Sequence, residues 1–387
     1  MRRKIARNIT KREHALLSAS GAHRWSVCTP SAMMEDKYPD TQSESASEGT
    51  YAHAMAELEL RAMMEEVVGD DYCQQWAELK KSEFYSKALV DYVDEYVSYV
   101  TESYNEALVM DTGAALLLEQ HLDFSPWVPE GFGRGDAIIV SDDRLHIIDL
   151  KYGRNVPVSA ENNPQLRLYA LGAYNELYWL YLFKEVTMSI VQPRNGGITT
   201  ETLSLNELLK WGQQIRDIAK VAIKGEGELV PGEHCRFCKA APRCRKLQEE
   251  VMSIDTKKEL TDSEVSDVLA KADVLISWLH KVQDYALTEA RDNGHRWPGF
   301  KLVEGRSNRK YSDEEQVAKR LLKEGLTAEQ IYKPRSLVGV TDMQKLLGKR
   351  KFDGVLSEYL IKPPGKPTLV PESDKRPEWN SPEEDFA

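Results

Sequence analysis

The sequence predicts an α/β protein: a central mixed sheet flanked by helices, followed by a mainly helical C-terminal third. Three observations carry this expectation. Residues 131–151 (GFGRGDAIIV-SDDR-LHIIDLKYG) hold two short apolar runs, Ala137–Val140 and Leu145–Leu150, around a polar turn at Ser141–Arg144, which is the pattern of a β-hairpin. Long segments with apolar residues every three or four positions precede and follow it, the pattern of helices. From about Asp255 onward the pattern is mainly helical.

Length and composition set outer bounds. The chain has 387 residues, enough for one large domain and a smaller one, and its composition is that of an ordinary globular protein. No apolar run approaches the roughly 20 residues of a membrane span. The basic N-terminus, MRRKIARNITKREHALL, lacks the apolar core of a signal peptide, so a cytoplasmic protein is expected, with no membrane partner. The net charge of −11 disfavours a protein that coats nucleic acid, but not one with a local basic groove. Five cysteines, an odd number, argue against a disulfide framework.

In chain order, residues 1–20 are expected to be a mobile arm leading into a short helix. Ser18 and Ser20 offer an N-cap signal, and Cys28 falls near that helix's end. Residues 40–48 read as a polar loop. Gly49–His53 opens a helix running to about Val68, with His53 near its first turn. Residues 72–110 read as one or two helices. Val90, Val93, Val97 and Val100 recur there at helical spacing beside Tyr92, Tyr96 and Tyr99, as a core stripe does. Cys73 reads as a free thiol. Ala114–Leu122 reads as the first strand, with Glu119 on it as a further carboxylate or as a solvent-facing residue.

The hairpin carries the chemistry. Antiparallel pairing brings Asp136, at the start of one strand, close to Asp149, near the end of the next. Lys151, two residues beyond Asp149, shares its face. An isolated D-x-K is usually a solvated edge. Here Ile147, Ile148 and Leu150 make the strand apolar on both faces, and an Asp buried in such a strand needs a counter-charge or a cation. Two acids and a lysine can hold a hard divalent cation and activate water.

Beyond the hairpin, helical spacing runs from Asn163 to about Phe183, with Gln165 and Tyr169 on one face and Arg167 pointing elsewhere. Val186–Gln192 and Ile198–Leu203 form a second hairpin around Asn195–Gly197, and Leu205–Lys224 is a helix. Then comes Cys235-x2-Cys238-x5-Cys244. With Cys28 added, four thiolates would bind tetrahedral zinc or an iron–sulfur cluster; His234 is a lesser candidate. Leu260–Asn293 reads as a helix, with Val265, Val268, Leu269, Ala272, Leu275 and Ile276 as its apolar face. A strand and turn are expected at Trp297–Ser307, and helices at Asp313–Glu324, Thr327–Tyr332, Thr341–Leu347 and Lys351–Tyr359. The charged, proline-rich tail 362–387 is expected to be disordered. The implied division is 1–254, 255–361 and 362–387.

Six elements in order resemble the PD-(D/E)XK nuclease superfamily: S-A-S-x4-W-x2-C ending at Cys28, G-T-x2-H ending at His53, G-R-G-D ending at Asp136, D-L-K from Asp149 to Lys151, Q-x3-Y from Gln165 to Tyr169, and C-x2-C-x5-C. They are similar to the RecB-like branch with an iron–sulfur cluster, as in the AddB nuclease domain, the CRISPR-associated iron–sulfur nucleases and uncharacterised proteins of phages and prophages. The resemblance covers about residues 15–250. It implies a restriction-endonuclease-like core and metal-dependent hydrolysis of DNA, with exonuclease action on single-stranded or duplex ends in phage recombination or end processing in a bacterial host cell. It implies Mg²⁺ or Mn²⁺ held by His53, Asp136, Asp149 and the Leu150 carbonyl, with Glu119 as a possible addition. Asp136, Asp149, Lys151, Gln165 and Tyr169 are the implied catalytic set. Cys28, Cys235, Cys238 and Cys244 would hold a structural [4Fe–4S] cluster, with zinc as the alternative. Such a clip would close a loop of about 200 residues. The C-terminal third would be available to a recombination or replication partner. The competing expectation is a DNA-end-binding or scaffold protein of the same fold.

Overall fold

The computed structural model describes residues 15–39, 44–154, 156–195, 197–252, 262–301, 322–323 and 340–360. Helices α1 (Ala22–Trp25), α2 (Ser31–Glu35), α3 (Glu44–Met63), α4 (Gly69–Leu79) and α5 (Lys87–Met110) precede strands β1 (Ala115–Asp123), β2 (Phe132–Val140) and β3 (Arg144–Leu150). Helix α6 (Pro164–Leu177) leads to β4 (Glu185–Gln192) and β5 (Gly197–Ser204). Helices α7 (Leu205–Ala222), α8 (Arg245–Met252), α9 (Asp262–Asp292), α10 (Val340–Leu347) and α11 (Lys349–Leu356) follow.

The five strands form one open mixed sheet in which spatial order equals chain order. β1, β2 and β3 run as an antiparallel meander; β3 and β4 are parallel; β4 and β5 are antiparallel. A parallel step needs a crossover connection, and α6 supplies it. Asn163 caps this helix by accepting from the Gln165 and Leu166 amides, and Pro164 occupies its first turn, where a missing N–H costs nothing.

Period-two alternation explains why strands apolar on both faces are stable here. Ile138, Val140, Leu145, Ile147, Met188 and Ile190 pack on the side covered by α6 and α7. Ala137, Ile139, Ile148, Leu150 and Val191 pack on the other, against Met55 of α3 and Val93 and Tyr96 of α5. Each fully buried aliphatic side chain contributes about 1.5–3 kcal/mol of transfer free energy, so β2 and β3, covered twice, form the best-anchored part of the sheet. α6 is fastened to β5 by a buried bidentate pair: Arg167 donates to Glu201 at 2.7 and 3.1 Å. Arg167 therefore faces away from Gln165 and Tyr169, as expected.

Several elements depart from the expected ones. α3 begins at Glu44, so residues 44–48 are helical rather than loop, and His53 lies in the third turn rather than the first. The cause is tertiary: the buried Arg194 guanidinium donates to Glu48 at 2.9 Å and anchors a segment of weak helix propensity. α1 stops at Trp25, leaving Cys28 in the turn before Pro30. Its N-cap is Gly21; Ser18 instead accepts from the Gly21 amide in the preceding turn. α6 ends at Leu177, short of Phe183.

Helix α9 forms as expected, but Val265, Val268, Leu269 and Ile276 remain exposed. Residues 297–301 make no strand: the Phe300 amide donates to the Trp297 carbonyl in a turn, and the Trp297 indole folds back to donate to Ala286. Most of the helices expected at 313–324 and 327–332, the rest of the strand to Ser307 and the tail 362–387 lie outside the described residues. α10 and α11 dock on α5, where Lys349 pairs with Glu95 and the Arg350 amide donates to Asp91 at 3.1 Å. No helix of the described residues is long and apolar enough to cross a membrane.

Candidate functional site

The register of the meander places three carboxylates in a row. Leu118 pairs with Ala137 and Gln120 with Gly135, so Glu119 stands opposite Asp136; Ala137 pairs with Ile148, so Asp149 is the next cross-strand neighbour of Asp136. The ladder lapses at the first of these positions. Glu119 has a φ of 48°, a left-handed conformation that an L-residue other than Gly, Asn or Asp rarely adopts inside a strand.

His53 of α3 reaches this row from above, with Nδ1 3.4 Å from Asp136 Oδ2. Candidate ligand atoms of His53, Glu119 and Asp136 all lie within 4.8 Å of one another, the mutual spacing a single cation requires. A nitrogen and two carboxylates suit a hard divalent metal. Among the described residues this group alone has that spacing. Asp149, expected as a ligand, falls outside it, because its carboxylate is held by two other groups. Lys151 Nζ lies 2.8 Å from Oδ2, and Gln165 Nε2 donates to Oδ1 at 3.1 Å. Beside this ion pair the buried Oδ2 accepts from no other group, so it retains acceptor capacity. That spare capacity, at the edge of the three-ligand group, fits a cation in this place.

Electrostatics separate the roles. Burial pushes the His53 imidazole down, but Asp136 outweighs it and lifts its pKa to about 9. Burial, then the neighbouring Asp136 and Glu57, raise Glu119 to about 7. Burial also works against ionisation of Asp136, yet His53, Lys151 and the Leu150 amide, which donates to Oδ2 at 2.8 Å, hold it below the usual carboxylate range. Burial raises Asp149. Burial opposes charge on Lys151, but Asp149 and Asp136 prevail and keep it cationic. Without a cation, the cluster is a set of acids neutralised by protons on His53 and Lys151.

Gln165 and Tyr169 lie one turn apart on α6. Gln165 Nε2 also donates to Tyr169 Oη at 3.1 Å, so one amide orients both Asp149 and the phenol. Gly133 of β2 makes room for that ring: a Cβ there would stand 2.8 Å from Tyr169 Cε1. Arg134, with an exposed side chain, lies 3.7 Å from Glu119.

Tyr96 was legible in the sequence only as part of a core stripe. It is buried, and its hydroxyl has no hydrogen-bond partner. Burial first, then the charges of Asp136, Asp149 and Glu119, hold it protonated far above the ordinary phenol range. No local pattern separates it from Tyr92 or Tyr99.

Cys28, Cys235, Cys238 and Cys244 line one cavity, together with Met34 and Leu247. The last three come from a segment of 3-10 turns, Glu233–Phe237 and Ala241–Arg243, and Cys28 from the turn after α1. The thiols are free. Burial raises Cys28 and Cys235, and carries Cys238 to about 12. His234 also lines the cavity, with its Nε2 engaged 2.8 Å from the Val230 carbonyl. Cys73 is exposed on α4, apart from the cavity.

A family model described as "Protein of unknown function (DUF2800)" matches residues 14–377, and the chain belongs to that family. The match includes the C-terminal third. The chain is also similar to a solved structure titled "Crystal structure of SSO0001", at 15% identity over 56% of this chain and 94% of that one, with a TM-score of 0.22.

Proposed function

We propose that this chain is a metal-dependent deoxyribonuclease of the PD-(D/E)XK type that acts on DNA ends, with its four clustered cysteines holding a [4Fe–4S] cluster. One observation carries the reading: Glu119, Asp136 and Asp149 stand in register across three strands, with His53 on the second and Lys151 on the third. A structural ion-pair network would not need three acids at one level, one buried and two half-buried, with one of them on a left-handed backbone.

The ligand set is His53, Glu119 and Asp136, with Asp149 Oδ2 and the Leu150 carbonyl beside it. Mg²⁺ or Mn²⁺ bound there would lower the pKa of the attacking water and offset charge on the scissile phosphate. The remaining steps belong to the chain. Lys151, held cationic by Asp149, donates to the attacking water or a phosphate oxygen rather than removing a proton. Asp149 orients that lysine, and Gln165 fixes Asp149. Tyr169, braced by Gln165 and accommodated by Gly133, supports the same carboxylate from beneath. Arg134 offers a cation to the DNA backbone where the chain is otherwise acidic.

For the second site, the donor set is four thiols, which favours a soft metal centre. Four thiolates suit an iron–sulfur cluster, with tetrahedral zinc as the alternative.

The test is cleavage of end-labelled linear DNA and of closed circular DNA with Mg²⁺ or Mn²⁺, using anaerobically purified protein beside Asp149→Ala and Lys151→Ala. Metal-dependent loss of label from linear DNA by the parent protein alone is the expected result. Degradation by Lys151→Ala at the parent rate would overturn the mechanism. A folded protein that binds ends without cutting would be a scaffold instead.

A further inference from the structure

The face that α9 turns toward the cysteine cavity is made of three residues at helical spacing: Trp278, Lys281 and Tyr285. Each makes a specific contact with the cysteine segment. The Trp278 indole donates to the Ala241 carbonyl at 3.1 Å, and Arg243 donates to the Tyr285 hydroxyl at 3.2 Å. Between them the Lys281 ammonium donates to the Cys235 carbonyl at 3.2 Å and the Cys238 carbonyl at 3.0 Å. A lysine rarely leaves water to serve two neutral carbonyls alone, because its desolvation cost is not recovered.

The charge around the cavity supplies a reason. Glu35 of α2 is buried beside it, accepting from the Lys239 amide at 2.9 Å and from Arg24 at 3.1 Å. Arg24 thus answers Glu35, and Lys281 is left facing the thiols. Four thiolates around either a zinc ion or a cubane cluster leave a net charge of about −2. With neutral thiols Lys281 would be a half-buried cation offset by Glu35 alone; with thiolates it is a counter-ion. Groups just outside a metal's ligands fix those ligands and tune the centre in this way.

We infer that Lys281 is a positioning residue for a metal centre at the four cysteines, holding the Cys235–Cys238 turn by its carbonyls and offsetting thiolate charge, so that docking of α9 is coupled to metal occupancy. This rests on the reading of the four thiols as metal ligands. A consequence is that the C-terminal extension and the cysteine segment stabilise each other only when the centre is filled.

The experiment uses the full chain purified anaerobically as the parent, Lys281→Met and Lys281→Arg, with iron, sulfide and zinc measured in each. Lys281→Met keeps the apolar stem and loses the charge. Metal release to a chelator should be about tenfold faster from Lys281→Met and near the parent rate from Lys281→Arg, with proteolytic cleavage within α9 following release in each protein. If the centre proves to be an iron–sulfur cluster, its midpoint potential should move to a more negative value in Lys281→Met alone. A parent protein that carries no metal, yet cleaves DNA, would remove the cysteine reading and this inference with it. A metal-loaded parent whose Lys281→Met variant releases metal at the parent rate would overturn the inference and leave the cysteine reading standing. Circular dichroism of the variants separates misfolding from metal loss, and Lys281→Gln replaces Lys281→Met if the latter does not fold.

Discussion

Glu119 faces Asp136 across β1 and β2 at the one level where their ladder lapses, and the backbone of Glu119 is left-handed there. Two like charges at neighbouring cross-strand positions destabilise a sheet. Glu119→Gln should therefore raise the stability of the metal-free protein at pH 8 by about 1–2 kcal/mol, since the acid's raised pKa measures the strain of ionising it. The same change should weaken Mn²⁺ binding at least about tenfold, the cost of losing even an outer-shell partner. Thermal melting with and without Mn²⁺ reads both effects: the variant should melt higher without metal and gain less from it. A lower melting point without metal would mean that the Glu119 carboxylate stabilises the fold by itself and is not there for a cation.

The protons on this site set a second expectation. His53 has a folded pKa of about 9 against an ordinary 6.5, so its contribution is present below pH 6.5 and lost as pH rises to about 9. Glu119, at about 7 against 4.5, binds its proton more tightly folded than unfolded, so stability also falls between those values. Both slopes have the same sign: the metal-free protein should lose stability steadily from pH 5 to pH 9. Metal competes with these protons, so apparent Mn²⁺ affinity should rise about tenfold per pH unit between pH 7.5 and 9, and more steeply below 7. Isothermal titration at four pH values checks this. A flat profile would exclude His53 as a ligand.

Gly133→Ala tests the support beneath Asp149. The added methyl would meet the Tyr169 ring at 2.8 Å, and neither the β2 backbone nor a ring buried against α6 can yield cheaply. Overpacking of this kind costs about 1–3 kcal/mol. Tyr169 should shift, its contact with Gln165 should weaken, and DNA cleavage should fall while Mn²⁺ binding at His53, Glu119 and Asp136 stays unchanged. Stability by urea unfolding, Mn²⁺ affinity and cleavage rate, measured on one preparation, distinguish this from a general loss of fold.

The central hairpin, the Asp136–Asp149 approach and the shared face of Gln165 and Tyr169 were legible because each rests on short-range geometry: period two in a strand, period 3.6 in a helix. Lys151 could be placed beside Asp149 for the same reason. The true start of α3 was not legible, since it depends on Arg194, almost 150 residues from Glu48. Glu119 could be placed on the first strand, but its left-handed backbone has no sequence signature. Tyr96 was hidden in a stripe of similar residues, and only tertiary packing brings it within the electrostatic influence of the carboxylates. The part of Lys281 was equally invisible, because carbonyl acceptors on a distant segment leave no mark in composition or spacing.

The β3–α6–β4 crossover also bears on the order in which the molecule assembles. Asp136, Asp149, Lys151, Gln165 and Tyr169 fall within 34 consecutive residues, on elements that adjoin in the chain. His53 arrives on a helix more than 80 residues upstream of Asp136. Loops that long close late. The acid–lysine half can thus form as a local unit, whereas the cation position is completed only when the α3–α5 layer settles on the sheet. On the proposed reading, peeling that layer away would release a bound metal before the sheet itself opens, so the layer that assembles last would also be the ion's first exit.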